Sequence, residues 1–134
     1  MTQEDKELLL KDICARLPYG LKCVNVNWPK DGSVQVSNIR TREWKIQIFE
    51  DWVDIEYCKP YLRPMSSMTK EERKYRLTSF FQVVRTDNIG LVPTLSGPKS
   101  FEYIDWLNAH HFDYNGLIEK GLALEAPEGM YKTE

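Results

Sequence analysis

No two of the seven glycines stand within three residues of each other, so the chain holds no glycine-rich loop of the kind that cradles phosphate. Nor does any apolar run approach the ~20 residues that cross a bilayer. The opening stretch MTQEDKELLL has three consecutive leucines and an acidic start, without the basic and long apolar regions of a secretory signal. A soluble, cytoplasmic protein is the expectation, with no membrane partner.

Cysteine is scarce. Cys14, Cys23 and Cys58 are odd in number and far apart, with no C-x-x-C pair, which leaves neither a zinc framework nor a dithiol redox motif. They are expected as buried thiols in a reducing compartment, Cys14 on the apolar stripe of a helix. No serine sits in G-x-S-x-G and no histidine in H-E-x-x-H, so no nucleophile elbow or zinc-protease helix is present. No motif calls for a cofactor.

What is there suits a single domain spanning residues 1–134. Apolar residues make up 42% and charged residues 28%, near globular averages, and there is no internal repeat or linker. Thr2 with Asp5 three residues on is an imperfect capping box. Leu9, Leu10, Ile13, Cys14 and Leu17 then recur at helical spacing, predicting a helix over about 3–17 that stops at Pro18 and Gly20 and turns Lys6, Glu7, Lys11 and Asp12 to water.

The period next changes to two. Val24, Val26 and Trp28, then Val34 and Val36, then Trp44, Ile46 and Ile48, then Val53, Ile55 and Tyr57 alternate with polar residues. Short links join them, one at Pro29 to Gly32 and one at Glu50-Asp51, which reads as a four-stranded antiparallel meander over about 21–57 with one wet face. Residues 59–65, broken by Pro60 and Pro64, read as a loop.

Thr69 with Glu72 is a full capping box opening a helix near Lys70. Its apolar stripe of Leu77, Phe80, Phe81 and Val84 runs into FFQVV, which carries both helical spacing and high strand propensity and leaves the two open. The stretch from Asn88 to Pro98 is turn-rich, Pro98 suits the first turn of a further helix to about His110, a short helical piece is expected near 117–120, and the tail from Glu125 reads as partly disordered. The fold class is α+β: an N-terminal helix, the four-stranded meander, and C-terminal helices packed on one face of it.

The densest candidate site is DWLNAHHFDY, residues 105–114. His110, His111 and Asp113 suit acid–base or metal chemistry, but adjacent side chains diverge by ~100° on a helix, so both rings reach one ion only if the backbone turns between them. The ordinary reading is a helix end whose histidines complement the helix dipole and whose aspartate caps the next turn. Phe101, Tyr103, Trp106, Phe112 and Tyr114 crowd five aromatics into fourteen residues, more than one helix buries against one sheet, so some should face a partner.

Charge is the other feature. Residues 59–85 carry seven basic side chains against two acidic, and residues 86–134 three basic against eight acidic. Arg63, Lys70, Arg73, Lys74 and Arg76 form a candidate basic patch for phosphates or for an acidic partner, although a pI of 5.8 argues against a dedicated nucleic-acid binder.

The runs KELLLKDICARLPYG, CKPYLRPMSSMT and DWLNAHHFDYNGLIEKGLALEAPEGMY resemble an uncharacterised family of small proteins of gut bacteria and their phages. The resemblance implies a bacterial cytoplasmic protein carried on a prophage or mobile element, and it carries over no catalytic or binding residue. Three functions follow in order of preference. First is a non-enzymatic protein-interaction module, binding a protein partner or itself through Tyr103, Trp106, His110, His111, Asp113 and Tyr114. Second is a small hydrolase or metal-dependent enzyme using His110, His111 and Asp113. Third is weak nucleic-acid contact through the basic patch.

Overall fold

A computed structural model describes residues 1–29, 32–86, 90–95 and 97–131. The first helix, α1 (Gln3–Arg16), forms as its spacing predicts, and the capping box at Thr2 is complete because the Asp5 carboxylate reaches back to the Thr2 N–H. Leu9 and Ile13 are fully buried. Cys14, expected inside, is exposed, and Asp12, expected in water, is buried with Arg16. The helix is rotated from its most apolar orientation because this pair of charges binds the far end of the chain.

The meander gives way to a larger, mixed sheet. Its strands are β1 (Lys22–Asn25), β2 (Val34–Arg40), β3 (Lys45–Ile48), β4 (Asp51–Asp54), β5 (Cys58–Leu62) and β8 (Leu124–Glu125), in the order β4-β3-β2-β1-β5-β8. β5 runs antiparallel to β1 and β8 runs parallel to β5. The segment expected as a loop is therefore a strand of the sheet, next to the short edge strand β8. Cys58, Pro60 and Leu62 alternate inward, and Pro60 stands opposite Cys23 before β8 begins opposite Tyr61, so its missing N–H falls where β5 is still an edge.

The expected last strand is halved: β4 stops at Asp54, and Ile55–Tyr57 turns as a 3₁₀ helix that buries Ile55 under the sheet. Trp44 lies outside β3 in the left-handed region at φ 57°.

After a 3₁₀ turn (Met65–Ser67), α2 (Lys70–Phe80) opens at the Thr69–Glu72 capping box as predicted. FFQVV resolves as the junction, with Phe80 closing α2 and Phe81 opening β6 (Phe81–Thr86). β6 pairs antiparallel with β7 (Gly90–Leu95) in a separate two-stranded ribbon, a correction to the turn-rich reading of that stretch. Of the stretch, residues 88, 89 and 96 lie outside the described residues. The third helix, α3 (Gly97–Ala109), has Pro98 in its first turn. Residues 117–120 are hydrogen-bonded turns and not a helical piece. The tail is docked as far as Tyr131, with Ala126 N–H donating to the Leu62 carbonyl and the part-buried Tyr131 ring stacked on His111; residues 132–134 lie outside the described residues.

Two cores result. One joins α1 to the sheet, with Leu117, Leu122 and Ala123 closing it. The other holds Met68, Phe80, Tyr103, Leu107 and Phe112, with Phe81 and Leu95 against it. The C-terminal helices thus pack on each other and on the ribbon, and α1 with residues 117–123 covers the sheet in their place. Among the described residues no helix is long and apolar enough to cross a membrane.

Candidate functional site

The end of α3 is a Schellman turn. His111 N–H donates to the Asn108 carbonyl and Phe112 N–H to the Leu107 carbonyl, while His111 takes the left-handed conformation at φ 59°. Glycine is usual at that position, and histidine is among the residues that tolerate it better than most. Leu107 and Phe112 pack together in the second core, the apolar contact this motif carries.

The backbone does turn between the two histidines, and it separates them. The His111 Nε2 lies 2.9 Å from the Tyr19 carbonyl, and since a carbonyl only accepts, Nε2 donates. The ring is buried and stacked on Tyr131 with centroids 3.9 Å apart. Burial pushes its pKa down to about 4, with Arg16, His110 and Arg63 acting the same way against the raising effect of the Tyr19 bond. His110 instead donates from Nδ1 to the Trp106 carbonyl at 2.9 Å. The Asp113 carboxylate accepts from the backbone N–H groups of Leu117 and Ile118 at 2.8 and 3.0 Å. The three side chains therefore serve three different neighbours, and among the described residues no group of three or more His, Cys, Asp or Glu is placed to hold a metal ion.

Two members of the basic patch are also committed. Arg63 makes a fork to Glu72, at 3.0 and 2.7 Å, and lies 4.2 Å over the Phe112 ring. Burial alone would raise the Glu72 carboxyl, but the bonds from Arg63 and Thr69 hold it at about 2. Arg76 donates to the Tyr103 hydroxyl at 2.7 Å and lies over Phe81. Lys70, Arg73 and Lys74 are exposed, and Leu77 beside them is exposed too, not buried as its stripe predicts.

The candidate aromatics split in the same way. Tyr103 is buried. Tyr114 is half-buried and donates to the Asn108 side chain at 2.8 Å. Trp106 is also half-buried, at the centre of a ring cluster, 4.9 Å from His110, 5.7 Å from Phe80 and 5.8 Å from Tyr75. Around it opens a groove of about 430 Å³ lined by Glu71, Glu72, Tyr75, Trp106 and His110. A second cleft of about 530 Å³ runs between the first turn of α2 and the tail, and Glu71 and Glu72 line both.

The sequence points to Tyr75 only as a ring beside the basic helix, and not to Glu71 or the tail side chains as lining of a groove. The i, i+4 spacing of Glu71 and Tyr75 places them on one flank of α2, which was the signal available. That flank meets α3, and only the tertiary fold brings Trp106 to it. No family model, curated protein or solved structure matches this chain.

Proposed function

We propose that this is a non-enzymatic protein-interaction module that holds a partner in the groove centred on Trp106. The observation that carries the reading is the half-open ring cluster: Trp106 lies 5.8 Å from Tyr75 and 4.9 Å from His110, all three line the groove, Tyr75 is exposed, and Trp106 and His110 are half-buried. Rings that are anchored on one side and wet on the other are the usual anchors of contact surfaces. The resemblance of the sequence supplies the setting, an accessory protein of a bacterium or its phage.

Acid–base or metal chemistry at His110, His111 and Asp113 is disfavoured by their separate hydrogen-bond duties. Nucleic-acid contact keeps Lys70, Arg73 and Lys74 as its support, without Arg63 and Arg76. Affinity capture from the native host tests the preference. The partner recovered with the parent chain is lost on Trp106→Ala, with folding checked by circular dichroism, and kept on Phe101→Ala, which removes a 79% exposed ring on the same helix outside the groove. Loss with Phe101→Ala alone overturns it.

A further inference from the structure

We infer that the occupant of the Trp106 groove is a basic peptide segment whose arginine or lysine side chain lies on the Trp106 and Tyr75 rings, a claim that rests on the groove reading above. The polar groups along the groove favour a donor. Glu71 is exposed and carries a carboxylate, an acceptor in its ionised form. His110 spends its Nδ1–H on the Trp106 carbonyl, so in its neutral form the remaining ring nitrogen, Nε2, is an acceptor. The faces of tryptophan and tyrosine carry the negative part of the ring quadrupole and attract cations.

The adjoining cleft extends the pattern. Glu125 and Glu128 line it together with Glu71, and all three are exposed. Its cation, Arg63, is held by Glu72. A cationic side chain in the groove and further basic residues along the cleft would meet carboxylates on both sides of the first turn of α2.

The nearby cations do not oppose this. At 100° per residue, Arg73 and Leu77 lie about 160° and 120° round α2 from Glu71, and Lys70 and Lys74 about 100° and 60°, so their mean direction is roughly 130° from the flank bearing Glu71 and Tyr75, and all four are exposed. The helix therefore separates a basic outer face from an acidic, aromatic inner flank. Such a division sets the sign of the partner through repulsion as well as attraction.

The test is selection from a random peptide library displayed on phage against the folded protein, with each enriched peptide then measured by fluorescence anisotropy. Enriched peptides are expected to carry arginine or lysine. They should bind at least about tenfold more weakly to Trp106→Ala and severalfold more weakly to Glu71→Lys, an exposed position, with the folding of both variants checked by circular dichroism. Binding should also weaken as salt rises. Trp106-dependent peptides without cations would sink the basic occupant and leave the groove standing. No Trp106-dependent peptide at all, or acidic peptides lost on Arg73→Glu plus Lys74→Glu, would sink both.

Discussion

His111 and Tyr131 lie ring on ring, 3.9 Å between centroids and 27° from parallel, so the C-terminal segment seals the one histidine that the end of α3 turns inward. The Tyr131 hydroxyl accepts from the Lys22 N–H at 2.9 Å and donates to the Tyr61 carbonyl at 2.7 Å, bridging β1 and β5. Tyr131→Phe keeps the stack and removes both bonds. We expect a loss of about 1–3 kcal/mol in urea unfolding, the cost of stranding a buried donor and acceptor. An unchanged midpoint would show that the tail is not a structural clasp.

His111 should make the stability of the fold rise with pH between about 4 and 6.5. Burial holds the His111 pKa at about 4 against 6.5 for an ordinary histidine, so across that window the unfolded chain binds more protons than the folded one. The contribution is complete above 6.5 and is lost as pH falls through 4. Glu72, held at about 2 against 4.5, adds a second loss over the more acid window between those values. His111→Asn, which tolerates the left-handed backbone, should flatten the upper window and leave the lower one in urea midpoints measured across pH. An unaltered upper slope would remove His111 as its source.

Asp12 and Arg16 form a fully buried pair at 2.9 Å, and Arg16 also donates to the Phe112 carbonyl at 2.6 Å while Asn115 donates to Asp12 at 2.9 Å. This network ties α1 to the turn after α3. Removing one charge strands the other, so Asp12→Ala should cost about 3–5 kcal/mol, whereas Asp12→Leu with Arg16→Met should recover much of that loss. Equal damage from the single and double variants would mean that the bonds to Phe112 and Asn115 matter more than the pair.

On α2 the two faces should respond differently. Arg73→Glu with Lys74→Glu changes exposed side chains and should shift stability by no more than about 0.5 kcal/mol. Arg63→Ala breaks the fork to Glu72 and uncovers Phe112, at a cost of about 1–3 kcal/mol. A gel shift with nucleic acid in low salt that vanishes in the outer-face variant would move the functional surface to Lys70, Arg73 and Lys74.

Local signals were legible where one segment decides its own structure. Both capping boxes, the stripe of Leu9 and Ile13, and the inward Val36, Ile46 and Ile48 of β2 and β3 are read directly from neighbouring residues, whereas the first run fails: β1 ends at Asn25 with Cys23 and Val24 both buried, and Val26 and Trp28 lie beyond it, 40% and 55% exposed. The misses share a cause: they were decided by partners far away in the chain. Pro60 argued for a loop until β8 joined β5 one residue further on. Asp12 reads as a solvent residue because its partners include Asn115, 103 positions later. The aromatic excess around Trp106 was visible, but the choice of which rings stay open came from α2 packing along α3. The basic count of residues 59–85 was real, while its division into clasp and outer face needed Glu72 and Tyr103 in space.

The claim that a partner sits in the Trp106 groove is most directly tested by photo-crosslinking in the native host. A benzophenone amino acid placed at Tyr75, on the groove, should give a discrete crosslinked species that disappears with Trp106→Ala. The same group at Phe101 should give none. A crosslink from position 101 with nothing from position 75 would contradict the account.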